Sequence, residues 1–136
     1  MSPDFASSNP MLEFPKLRKW AVIGVSEDRS KYGNKIFRDL KEAGYEVYAI
    51  NPKLTEVEGS VCYPSLKALP VKPEVVNLVV PPAVGEKVVD DCIELGLDRI
   101  WFQPGSVSLT AVEKAEKAGM IVVADACIMI QKEAFV

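Results

Sequence analysis

The chain has 136 residues, 49% of them hydrophobic, and 16 Lys+Arg against 19 Asp+Glu for a net charge of −3. That is the length of one domain with enough apolar content for its own core, and too acidic a balance for a protein held to nucleic acid by phosphate attraction. Histidine is absent, which excludes Ser-His-Asp and Cys-His nucleophile pairs, His-containing zinc sites and a phosphohistidine intermediate.

Residues 1–18 read as an N-terminal lead-in, partly loose, with a short helix over Met11–Lys19; residues 19–136 form the domain proper. Trp20–Val25 is an apolar run ending at a glycine turn and predicts a buried strand. Ile36, Phe37, Leu40 and Ala43 recur at helical spacing, with Gly44 as the stop. Glu46–Ile50 is a second strand closed by Asn51-Pro52, and Val75–Val80 a third closed by Pro81-Pro82. Val84, Val88, Val89, Cys92 and Leu95 stripe a second helix that stops at Gly96. Arg99–Phe102 is the fourth strand, Leu109–Ala118 the third helix, and Met120–Ala124 the fifth strand; Ser60–Ser65 reads as connection.

Helices alternate with strands that are apolar on both faces. The expected class is α/β: a Rossmann-like doubly wound parallel sheet of about five strands, helices on both faces, in the order 3-2-1-4-5. Three separated cysteines, with no CxxC spacing and no signal peptide, point to a reducing, cytoplasmic setting. No apolar run approaches the ~18–20 residues of a membrane span.

Ligands of such sheets bind beyond the C-terminal strand ends. The loop after the first strand fails the G-x-G-x-x-G dinucleotide pattern, since Ser26 and Arg29 stand where the second and third glycines would be. It runs on through Lys31 and Tyr32 to Gly33, where helix amides are expected to hold a phosphate. After the second strand comes Asn51-Pro52-Lys53 rather than the acidic residue that accepts from an NAD ribose. Lys53 is either a solvated loop lysine or the partner of a ribose that carries its own phosphate, as NADP and coenzyme A both do. Cys127 reads as a small buried hydrophobe, with a thiol facing the ligand as the sharper alternative.

Six segments, in order, carry a family likeness: Gly24-x-Ser26, Gly44-Tyr45-Glu46-Val47-Tyr48-Ala49-Ile50-Asn51-Pro52-Lys53, Tyr63-Pro64-Ser65-Leu66, Val80-Pro81-Pro82, Trp101-Phe102-Gln103-Pro104-Gly105 and Asp125-x-Cys127-Ile128. Over residues 18–133 the chain resembles the stand-alone CoA-binding domain proteins, themselves similar to the N-terminal domain of the succinyl-CoA synthetase alpha subunit and of ADP-forming acyl-CoA synthetases. The resemblance implies that Gly24, Val25 and Ser26 approach the CoA phosphates and that Lys31, Tyr32 and Gly33 complete that loop. It implies that Asn51, Pro52 and Lys53 meet the adenosine 3′-phosphate end, that Val80, Pro81 and Pro82 line the adenine and ribose side, and that Gln103 and Gly105 face the pantetheine path. Pro104 departs from the apolar residue many relatives place there.

The synthetases use a phosphohistidine in a further domain; this length fits the binding domain alone, and no histidine is present. The expectation is therefore a small cytoplasmic CoA or acyl-CoA binding protein with coenzyme A as cofactor, no catalytic residues of its own and no metal. An NADP-binding reductase-like module and the CoA-binding subunit of a split acyl-CoA synthetase are the alternatives. The expected partner is the small-molecule ligand, without nucleic acid or membrane; a protein partner or a homo-oligomer stays open.

Overall fold

The structure, a computed structural model, describes residues 10–124 and 126–132. The first nine residues of the lead-in expected over residues 1–18 and the motif residue Asp125 lie outside the described residues.

The described residues open with a short helix α1 (Pro10–Glu13) and a 3-10 turn (Phe14–Lys16), so the helix expected over Met11–Lys19 is shorter than that, and β1 (Lys19–Ile23) takes its last residue. Then come α2 (Tyr32–Glu42), β2 (Glu46–Ile50), β3 (Glu56–Val57) and β4 (Ser60–Tyr63). After a 3-10 turn (Leu66–Ala68) follow β5 (Val75–Leu78), α3 (Pro82–Leu95), β6 (Arg99–Phe102), α4 (Leu109–Lys117), β7 (Ile121–Ala124) and α5 (Ile128–Gln131).

All strands of the described residues join one seven-stranded sheet in the order β3-β4-β2-β1-β5-β6-β7, parallel except for the β3–β4 pair. The α/β class and the parallel core agree with the sequence reading; the count of about five strands does not. Two strands were missed, because Glu56–Val57 is only two residues long and Ser60–Tyr63 carries one fully apolar inward position, Cys62, too little pattern to register as a strand. The missed β4 takes the place outside β2 that the expected order assigned to Val75–Val80. That segment crosses to the other side of β1 instead.

Alternation along each strand sorts the core into two layers. Trp20, Val22, Val75, Trp101 and Val123 face α2 and α5 through Ile36, Phe37, Leu40 and Ile128. Ala21, Ile23, Val76, Leu78, Ile100 and Phe102 face α3 and α4 through Val88, Val89, Cys92, Ala111 and Ala115. Trp20 and Trp101 are fully buried with ring centroids 5.8 Å apart, and Phe14 of the lead-in lies 6.2 Å from Trp101. A large side chain fully buried in this way contributes about 1.5–3 kcal/mol. Phe14 and Pro15 thus seal this part of the lead-in onto the core. The crossover from β4 to β5 reverses the direction in which strands are added, and the switch point it creates between β1 and β5 opens the crevice where ligands sit in such sheets.

Candidate functional site

A cleft of about 580 Å3 opens at that switch point, lined by Tyr32, Val79, Val80, Pro81, Pro82 and the Pro104–Ser106 turn. Five residues expected from the sequence therefore share it: Tyr32, Val80, Pro81, Pro82 and Gly105. Ser106 was not foreseen. Its hydroxyl accepts from Val80 N at 3.0 Å and ties the β6–α4 turn to the end of β5. On the α3 side of the sheet edge a smaller recess of about 180 Å3 is lined by Ile23, Ile50, Pro52, Leu66, Val84 and Val88.

The β1–α2 loop is held so closely that two glycines are obligatory. A Cβ on Gly24, whose φ is +98°, would stand 2.2 Å from Val79 O. A Cβ on Gly33 would stand 2.2 Å from Gly24 O. Gly33 thus serves the close helix-strand packing of the third fingerprint glycine, displaced along the chain by a longer loop. The loop's carbonyls are largely committed: Val25 O accepts from Asn51 Nδ2 at 2.8 Å, Ser26 O from Asn34 Nδ2 at 2.8 Å, Asp28 O from Lys31 N at 3.0 Å, and Arg29 O from Arg38 Nη2 at 3.0 Å.

Several amides are not. Among the described residues, no acceptor meets the N–H groups of Tyr32, Gly33 and Asn34 in the first turn of α2, and no side chain caps that helix. The α3 N-terminus at Pro81-Pro82 likewise lacks a side-chain cap, whereas α4, whose N-terminus is not in the cleft, is capped by Ser108 accepting from Ala111 N. Open helix N-termini present N–H donors and a partial positive charge, the requirements of an anion site. Lys31 and Lys53 are exposed and form no ion pair among the described residues. Asp28 bends back instead of facing out. Its carboxylate accepts from the Ser30 hydroxyl at 2.7 Å and the Ser30 amide at 2.9 Å, which holds its pKa below the usual value.

At the end of β2, Asn51 is a brace. Besides its bond to Val25 O, its Oδ1 accepts from Lys53 N at 2.8 Å, which fixes the start of the loop that carries Pro52 and Lys53. The side chains of Val25 and Gln103 are both fully buried. Gln103 Nε2 donates to Asn77 Oδ1 at 2.7 Å and its Oε1 accepts from Ile128 N at 3.4 Å. The Gln103 side chain, expected toward the pantetheine path, is an internal brace between β5, β6 and α5. Tyr32 OH donates to Cys127 Sγ at 2.8 Å, and that bond, with burial, pushes the Tyr32 phenol up to about 12. Cys127 is itself buried. Among the described residues no group of three or more Cys, Asp or Glu side chains is placed to hold a metal ion.

The CoA binding domain family matches residues 18–133. The ADP-forming acetate–CoA ligase I of Archaeoglobus fulgidus is 33% identical over 133 residues, covering 90% of this chain and 19% of that protein. The alpha subunit of the ADP-forming acetate–CoA ligase II of Pyrococcus furiosus is 31% identical over 121 residues, covering 81% of this chain and 26% of the subunit. The chain therefore spans about a fifth to a quarter of these curated relatives. A solved structure of similar size, a hypothetical protein from Pyrococcus horikoshii OT3, superposes with a TM-score of 0.87 at 38% identity, covering 91% of this chain and 88% of that one.

Proposed function

The chain belongs to the CoA binding domain family, and from that premise we propose that its cleft receives coenzyme A or an acyl-CoA. In this reading the α2 amides with Lys31 take the diphosphate and Lys53 takes the ribose 3′-phosphate. Val80, Pro81, Pro82 and Gly105 wall the remainder, and Gly24, Ser26, Gly33 and Asn51 shape the loops that carry these donors. The observation that carries the proposal is the uncapped α2 N-terminus, its amides without acceptors, together with Lys53 after β2, where an NAD site has an acidic residue. Each charge-assisted bond from such a donor to a phosphate is worth about 1.5–3 kcal/mol.

The same reading makes the protein a binder or presenter of CoA in a cytoplasmic, reducing setting, without catalytic residues of its own. Cys62, Cys92 and Cys127 are free and buried, and no helix of the described residues is long and apolar enough to cross a membrane. Calorimetric titration with CoA, 3′-dephospho-CoA and NADP tests the ligand. CoA is expected to bind most tightly, and Lys53→Ala to weaken CoA about tenfold while closing the gap to dephospho-CoA, the loss of one charge-assisted contact. Tighter NADP binding would overturn the reading in favour of a reductase-like module. A second reading, the CoA-binding subunit of a split acyl-CoA synthetase, is supported by the similarity to the P. furiosus alpha subunit. It expects a partner chain that supplies a histidine, and acid–CoA ligase activity when the two are mixed.

A further inference from the structure

The tip of the β3–β4 hairpin holds a residue that its backbone disfavours. Val57 and Ser60 pair across the two-residue turn, and both turn residues have positive φ, +48° at Glu58 and +74° at Gly59. Such turns favour Asn, Asp and Gly, because a longer side chain is crowded in the left-handed region. Glu58 is the one non-glycine residue with positive φ among the described residues. A conformation of this kind persists when surrounding contacts over-determine it.

Those contacts run to the phosphate loop. Glu58 Oε2 lies 3.3 Å from Arg29 Nε and accepts from Asn34 Nδ2 at 3.3 Å, while Glu58 O accepts from Lys41 Nζ at 3.4 Å. Asn34, with no exposure, passes the hold onward: Nδ2 also donates to Ser26 O at 2.8 Å, and Oδ1 accepts from Arg38 Nε at 2.7 Å. Arg38 Nη2 in turn holds Arg29 O at 3.0 Å. One carboxylate on a hairpin thus anchors a network that turns the carbonyls of Ser26 and Arg29 toward α2 and away from an incoming anion.

We infer that Glu58 is the positioning residue of the ligand loop. It holds residues 26–31 in their anion-accepting shape before the ligand arrives, so that binding does not bear the cost of ordering them. The identity of the ligand rests on the CoA reading; the ordering of the loop does not.

Glu58→Gly separates positioning from architecture, because it removes the carboxylate and relieves the backbone at once. In this variant CoA and 3′-dephospho-CoA, which share the diphosphate, are expected to weaken alike by roughly tenfold. Amide hydrogen exchange over residues 26–31 of the ligand-free protein should speed up, with the melting temperature kept or raised. Arg29→Ala, at an exposed side chain, should weaken both ligands in the same direction without touching the turn. Unchanged exchange in Glu58→Gly overturns the inference. So does a fall in melting temperature with affinity retained, which would mark a purely architectural role. If the parent protein binds no CoA, the proposed function falls, and the exchange comparison alone still decides whether Glu58 orders the loop.

Discussion

At Gly33 the geometry leaves no room for a methyl group, although its backbone angles are open to any residue. A Cβ would sit 2.2 Å from Gly24 O, backbone that cannot yield without parting α2 from β1. Gly33→Ala is therefore expected to cost about 1–3 kcal/mol as overpacking, a drop of several degrees in melting temperature. It should also remove CoA binding, because the displaced amides are those proposed for the diphosphate. Calorimetry on the still-folded variant checks this. At Tyr32 the raised phenol gives a pH signature. Its folded value of about 12 exceeds the ordinary 10.0. The associated stability is whole below the ordinary value and lost as pH climbs from there through the folded value. Thermal melts from neutral to strongly alkaline pH should show a shallower alkaline decline in Tyr32→Phe than in the parent. Equal slopes would deny the Tyr32–Cys127 bond its effect.

Among the elements, α4 has a start that the chain encodes locally. Ser108 accepts from Ala111 N at 3.1 Å and is 7% exposed. Ser108→Ala is expected to lower stability by about 1 kcal/mol, read by denaturant unfolding, with CoA affinity unchanged because this terminus lies outside the cleft. The uncapped starts of α2 and α3 make the contrast, since no local residue satisfies them. The β3–β4 hairpin was the element the sequence hid. Periodicity needs several alternations to stand out, and Glu56–Val57 and Ser60–Tyr63 supply too few. The Glu58–Gly59 pair was likewise silent as a turn signal, because glutamate is not a residue such turns ordinarily use.

For the molecule as a whole, the two-layer core encloses every cysteine: Cys92 has no exposure, Cys62 is 4% exposed and Cys127 7%. Burial also pushes the Cys92 thiol up to about 12 and raises Cys62 above its ordinary value. Thiolate, the reactive form, is therefore scarce at Cys62 and Cys92, Cys127 is shielded by its burial, and alkylation at neutral pH is expected to track global unfolding. Mass spectrometry of iodoacetamide-treated native protein should find all three thiols unmodified, and the same protein in denaturant fully modified. Rapid native labelling of Cys92 would contradict the packing. The Lys132–Asp39 ion pair, 3.0 Å long and with the lysine side chain 7% exposed, closes α5 onto α2. With the Gln103–Ile128 bond, it fixes the segment that brings Cys127 beneath Tyr32.

The sequence by itself determined the parallel α/β class, the central strands and the loops at their C-terminal ends, because buried strands and amphipathic helices write their periods directly into apolar spacing. It also pointed to the Val80–Pro82 turn and Gly105, since a doubly wound sheet places its crevice beyond those strand ends, while Tyr32 followed from the family resemblance. Tertiary structure decided what no local pattern carries. It placed Ser60–Tyr63, not Val75–Val80, outside β2. It turned Gln103 inward to Asn77 and Ile128. It brought Glu58 against Arg29 and Asn34 across 29 and 24 positions of chain. Each of these depends on which surfaces meet after the sheet has closed, and a side chain's partner across that distance is set by the fold rather than by its neighbours in sequence.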